Sequence, residues 1–212
     1  MKYIAPNLYT FENLFIGRVY LIEDADGLTI IDGGVPLATN RIIRQITGSG
    51  RRLTDIKRIL LTHAHPDHVG ALPELQAQSG ARVITSEIEK PYTEGTLPVV
   101  RPDPESLSFW DRLMPTMSMP EKLPTVDRTI IEGDVIDALG GLQVIATPGH
   151  SPGHVSFWQP ERKILFTGDA IAHGLYGKAL NLPFVVSTPD MAENIRSVKK
   201  LAALDVEIVC FG

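Results

Sequence analysis

A single cysteine, Cys210, is all the thiol chemistry in this 212-residue chain, so an internal disulfide framework is excluded. It lies in the apolar run VEIVCF, where a cysteine is most simply a small core residue. That usage suits a reducing compartment, and a cytoplasmic protein is expected. No run approaches the roughly 20 apolar residues of a membrane span. The opening MKYIAPNLYTFENLF has one early lysine but lacks the apolar stretch and small-residue cleavage site of a secretion signal. Excess positive charge is missing too. A formal net charge of -5 argues against a phosphate-binding surface, and the pairs Arg51-Arg52 and Lys199-Lys200 read as solvated faces. Neither nucleic acid nor membrane is an expected partner.

What is present is ample core material. With 43% hydrophobic and only 21% charged residues, the chain can bury a substantial core, and a single domain over residues 1–212 is expected. RVYLIED and LTIIDGG read as strands joined by a turn at Gly27. PLATNRIIRQITGSG reads as a helix with Pro36 in its first turn and Ile42, Ile43 and Ile46 on one face. IKRILLT is an apolar run of strand length with no polar alternation, which suits a strand covered on both sides. DHVGALPELQAQSG then reads as one helix opened by Pro66 and stopped by Gly80, and ARVITS as the next strand.

From Glu87 to about Thr125 the pattern dissolves into prolines, methionines and aromatics, with one short helix expected around Phe109 to Leu113. So long an irregular segment is more often a lid than a connector. Trp110, Phe109, Met114, Met117 and Met119 are too apolar for a solvated coil and are expected to cover something. Strands resume with TIIEG, VIDA, LQVIATPGH, HVSFWQ and KILFTGDA, followed by a helix from about Thr188 to Leu204 and a last strand VEIVCFG. Each half thus runs strands first, then helix and strand. Two such halves packed sheet to sheet give an α/β protein with a four-layer αββα sandwich and a lid-like insertion.

The stretch LLTHAHPDHVG crowds three histidines and an aspartate into six residues at the end of the IKRILLT strand. A lone histidine there would be an ordinary hydrogen-bonded core residue. A cluster is hard to explain by packing, because imidazole and carboxylate are the ligands zinc takes. His63 and His65, two apart in extended chain, can face one ion, while Asp67 and His68 in the first turn of the next helix can face a neighbouring point. One loop can serve two adjacent metals.

THAHPDH resembles the HxHxDH signature of the metallo-β-lactamase superfamily, and TPGHSPGH around His150 and FTGDA around Asp169 follow in that family's order. The resemblance covers essentially the whole chain, IIDGG at Asp32 included. It implies that His63, His65 and His150 hold a first metal, that Asp67 and His68 hold a second, and that Asp169 bridges the two. Asp32 is either an orienting residue or a turn-capping aspartate, and His154 is expected to make a structural hydrogen bond. The family's last histidine has no counterpart before Gly212, so either the chain is cut short or the second site lacks a ligand; truncation is the expectation.

Such a site is expected to hold two divalent ions, zinc ahead of iron or manganese, sharing a hydroxide that attacks an acyl carbon. Zinc lowers the pKa of bound water from about 16 to about 7. Asp67 is then the catalytic carboxylate that helps place that nucleophile. Trp110, His173 and Tyr176 are the proposed substrate contacts, and Tyr92 in the lid-like segment adds to the case for an apolar or acyl-bearing substrate. The substrate is expected to be a small acyl compound, a lactone or thioester as for lactonases and glyoxalase II. A mononuclear iron oxygenase acting on a thiol or persulfide, and a catalytically silent metal-binding module, stay open as alternatives. The lid's apolar residues can equally bury in a homodimer.

Overall fold

Seven strands form the first sheet of the computed structural model, which describes residues 1–173 and 180–212 except for the His173 side chain. They are β1 (Lys2–Ala5), β2 (Leu8–Thr10), β3 (Tyr20–Asp24), β4 (Gly27–Ile31), β5 (Ile56–Leu60), β6 (Arg82–Ser86) and β7 (Arg128–Ile130), hydrogen-bonded in chain order. The first four run antiparallel, and β4 to β7 are parallel. The second half contributes β8 (Val135–Ile136), β9 (Leu142–Ala146), β10 (Val155–Gln159), β11 (Ile164–Gly168), a two-residue ribbon of β12 (Ala172–His173) and β13 (Leu180–Asn181), and β14 (Ile208–Phe211). Its sheet has the order β14-β11-β10-β9-β8.

Strand alternation explains why the apolar runs are unbroken. Ile22, Ile31, Leu60 and Ile84 face Val144, Phe157 and Phe166 across the gap between the sheets. Their neighbours Leu21, Ile30, Ile59 and Val83 face outward, under α1 (Thr39–Gly48), α2 (Pro66–Val69) and α3 (Leu72–Ser79). On the opposite face Ile145, Trp158 and Leu165 pack with Leu201 of α6 (Met191–Ala202). Both faces of the central strands are therefore covered, which favours apolar residues on both sides of each strand. The four layers are helix, sheet, sheet, helix, as the sequence led us to expect.

Three local expectations need correction. The single helix from Asp67 to Gly80 is two, α2 and α3. The His68 carbonyl accepts from Gly33 N at 2.7 Å, and Pro73 has no N–H for the carbonyl four residues back, so the helical ladder breaks between them. TIIEG does not open the second half; as β7 it closes the first sheet beside β6. The N-terminus adds the antiparallel pair β1 and β2.

The segment from Glu87 to Thr125 is indeed mostly irregular, with one-turn helices α4 (Lys90–Thr93) and α5 (Phe109–Arg112). Met119 and Leu123 pack against the outer helical layer. Phe109 and Trp110 do not cover the core: they are 68% and 75% exposed. Instead α5 lies against the turn Val185–Ser187, and the Arg101 guanidinium ties the segment together through the Met117 carbonyl at 2.8 Å. Among the described residues no helix is long and apolar enough to cross a membrane.

Candidate metal centre

The ends of four strands meet at one edge of the sandwich. Asp32 follows β4, the HAHPDH loop follows β5, His150 follows β9 and Asp169 follows β11. Strands β4 and β5 are parallel, and β9 and β11 share a direction because both are antiparallel to β10. Convergence at the carboxyl ends of such strands is where ligands gather in α/β sheets.

Two groups of ligand-type atoms form there among the described residues. Nitrogens of His63, His65 and His150 lie within 4.8 Å of one another, and so do atoms of His63, His68 and Asp169. His65 Nδ1 stands 2.8 Å from His150 Nε2. Asp169 spans both groups, with Oδ2 3.5 Å from His150 Nε2 and Oδ1 3.3 Å from His68 Nε2. Asp67, outside both groups, has Oδ2 3.9 Å from His68 Nε2 at the edge of the second.

Hydroxyl groups set which histidine nitrogen faces inward. Thr62 Oγ1 has one proton and lies 3.0 Å from Asp32 Oδ2, so it donates there and accepts from His63 Nδ1 at 3.0 Å. His63 Nε2 is then left buried with no protein partner. Likewise Thr188 Oγ1 donates to the Phe184 carbonyl at 2.9 Å and accepts from His150 Nδ1 at 3.0 Å, leaving Nε2 for the centre. A buried imidazole nitrogen without a partner is costly unless something binds it. This donor set, neutral nitrogens beside carboxylates, fits a divalent ion of borderline softness.

Burial keeps the ligand imidazoles neutral. It pushes His63 and His65 well below the usual histidine range, aided by neighbouring imidazoles, and takes His150 and His154 down to about 3. His68 is the exception. Burial opposes its protonation, but Asp169, Asp32 and Asp67 outweigh it and hold its pKa well above the ordinary value. Desolvation at the half-buried Asp169 would raise its carboxyl, yet His68, His150 and His65 hold it low. Burial raises Asp67, with Asp169 adding to the shift against the pull of His68.

Asp32 is an orienting residue. It is buried at a φ of +60° and accepts from Thr62 N at 2.9 Å, while its Oδ2 lies 2.9 Å from His68 Nδ1. His154 makes the structural hydrogen bonds expected of it, to Thr147 Oγ1 and the Asp169 amide. The N-terminal end of α6 braces both second-half loops: Asp190 N donates to Gly149 O at 3.1 Å, Ser197 Oγ to Pro148 O at 2.7 Å and Asn194 Nδ2 to Ala170 O at 3.0 Å. Gly149 has a φ of +126°, and a Cβ there would overlap the Asn194 backbone.

Trp110 is exposed on α5, which lies against the turn Val185–Ser187 next to Thr188. Tyr176 and the His173 side chain lie outside the described residues. Sequence reasoning missed Thr62, Thr188 and the buried Glu89, whose carboxylate joins the two histidine loops. Only Thr62, directly before the histidine string, carried a signal that could have been noticed.

The model of the metallo-β-lactamase superfamily matches residues 13–212. A probable metallo-hydrolase of Bacillus subtilis, YflN, is 32% identical over 216 residues, spanning 93% of this chain and 80% of its own. A hydroxyacylglutathione hydrolase of Fuscovulum blasticum is 32% identical over 213 residues, spanning 99% of this chain and 67% of its own. Among solved structures, a subclass B3 metallo-β-lactamase of Bradyrhizobium japonicum superposes with a TM-score of 0.70 at 29% identity, covering 97% of this chain and 74% of the other.

Proposed function

The chain belongs to the metallo-β-lactamase superfamily as one of its metallo-hydrolases, and from that premise we propose that it cleaves a small thioester or related acyl ester with two zinc ions. The observation that carries this is the pair of ligand groups sharing His63 and spanned by Asp169. His63, His65 and His150 would hold the first ion, and Asp67 and His68 the second, with an Asp169 oxygen for each. Bound zinc supplies Lewis acidity toward the acyl carbonyl and acidifies water to a pKa of about 7.

The remaining work falls to the chain's own side chains. Thr62 and Thr188 hold the His63 and His150 rings with Nε2 inward. Asp32 fixes the Thr62 amide and, with it, the start of the histidine loop. Asp67, at the edge of the second group, is the carboxylate that would orient the attacking water and take its proton. The exposed apolar side chains of α5, Trp110 above all, together with Phe184 and Val185 would receive the organic part of the substrate. Thioesters rank ahead of lactones because of the likeness to a hydroxyacylglutathione hydrolase across 99% of the chain. A cytoplasmic setting belongs to the same proposal, since the single cysteine is buried, with its thiol pushed up to about 12.

The test is a panel of glutathione thioesters, acyl lactones and β-lactams, assayed with zinc-loaded protein, chelated protein and His65→Ala. Thioester turnover that zinc restores and His65→Ala abolishes is the expected result. Turnover of β-lactams alone, or full activity in His65→Ala, would overturn the assignment.

A further inference from the structure

The two loops that carry the first group of histidines are joined by a side chain outside every motif. Glu89, three residues past β6, is 1% exposed. Its Oε2 accepts from the backbone N–H of Ala64 at 2.8 Å, the residue between His63 and His65. Its Oε1 accepts from Ser151 Oγ at 2.5 Å and from Gly153 N at 2.8 Å, just past His150. Three donors face it, so the carboxylate form is the one that satisfies them.

Glu89 is itself held in place. Its N–H donates to Ser86 Oγ at 3.1 Å, whose hydroxyl donates to the Gly153 carbonyl at 2.6 Å. Its carbonyl accepts from Thr93 N at 2.8 Å and Thr93 Oγ1 at 2.9 Å. The approach is so close that a Cβ on Gly153 would come within 2.7 Å of Ser86 Oγ and 2.8 Å of Glu89 N. Three segments from distant parts of the sequence thus meet at one carboxylate.

We infer that Glu89 is a positioning residue for metal binding: it sets the distance between the His63–His65 loop and the His150 loop. This rests on the metal-hydrolase reading above. Glutamine at this position offers one oxygen where both are used, so its amide N–H₂ must face either Ala64 N–H or the Ser151 and Gly153 donors. Aspartate keeps the charge, but a shorter arm cannot span both loops.

The test is zinc affinity, measured on the full chain by competition with a chromophoric chelator, for wild type, Glu89→Gln, Glu89→Asp and Ser151→Ala. Circular dichroism and melting of each metal-free protein report the fold. Glu89→Gln and Glu89→Asp are expected to bind zinc about 10- to 100-fold more weakly while folded, the range for residues that orient ligands. Ser151→Ala should lose affinity in the same direction, by less. A lower melting temperature with unchanged zinc affinity would make Glu89 merely structural and overturn the inference. If the Glu89 variants do not fold, wild-type affinity in Ser151→Ala overturns it. Wild type that binds no zinc overturns both this inference and the metal-hydrolase reading, whereas tight wild-type binding matched by folded Glu89→Gln overturns the inference alone.

Discussion

The imidazole of His154 accepts a hydrogen bond at Nε2 from the backbone amide of Asp169, 3.1 Å away, while Nδ1 meets Thr147 Oγ1 at 2.7 Å. An accepting Nε2 requires the neutral ring with its proton on Nδ1, which agrees with a pKa pushed down to about 3 by burial. His154 thereby fixes the backbone that delivers the spanning carboxylate without being a ligand itself. His154→Ala is expected to weaken zinc binding about tenfold. His154→Gln, which can present an oxygen near the Nε2 position, should retain more of it. Chelator competition separates them, and equal loss in both would refute the hydrogen-bonding role.

Asp32 combines a left-handed backbone with a buried carboxylate. Asp32→Ala leaves the Thr62 amide without its acceptor, at about 1–3 kcal/mol. It also puts alanine at positive φ, at roughly 1 kcal/mol more. Urea denaturation of the metal-free protein should show a loss of about 2 kcal/mol or more, and a smaller one for Asp32→Asn. A change below about 0.5 kcal/mol in Asp32→Ala would contradict this account.

Acid should destabilise the metal-free protein from about pH 6.5 downward. His63, His65, His150 and His154 have folded pKa values below the ordinary 6.5, so below that pH the unfolded chain takes up protons that the native state refuses. For His150 and His154 the loss continues to about pH 3. His68 acts oppositely: its raised pKa adds stability that is complete below 6.5 and fades as pH rises through the folded value. Below pH 6.5 the His68 contribution is already complete, so the four losses are what changes with pH. Thermal melts in chelator at pH 6.5, 6.0 and 5.5 check the sign; a melting temperature that rises with acid over this range would refute the account.

Trp110 tests the substrate assignment. It is exposed, so Trp110→Ala should change stability by less than about 0.5 kcal/mol. For an acyl substrate with an apolar chain, KM should rise about fivefold, equivalent to about 1 kcal/mol, with kcat nearly unchanged. An unaltered KM would move the acyl-binding surface away from α5.

Local spacing made half of the centre readable. His63, His65, Asp67 and His68 share one short loop, whereas His150 and Asp169, far along the chain, were singled out by the family resemblance of TPGHSPGH and FTGDA. The four layers were legible for a similar reason, since strands buried on both faces read as unbroken apolar runs. Glu89 was invisible because its partners lie 25, 62 and 64 residues away and its neighbours belong to an irregular segment. The assignment of TIIEG to a half failed likewise, because sheet membership depends on which edge a strand reaches. The break between α2 and α3 had a local signal in Pro73, but its other cause, Gly33 N meeting the His68 carbonyl, sits on another loop.

His65 and His150 touch across 85 residues of chain. In a protein whose one cysteine can form no internal cross-link, an ion gripped by both loops would act as a removable staple. Closing a loop of that length costs the unfolded chain about 4 kcal/mol of entropy. Ligand histidines drawn from both halves therefore make metal uptake a report that the halves have docked, and a chain folded only through its first sheet has just part of the grip.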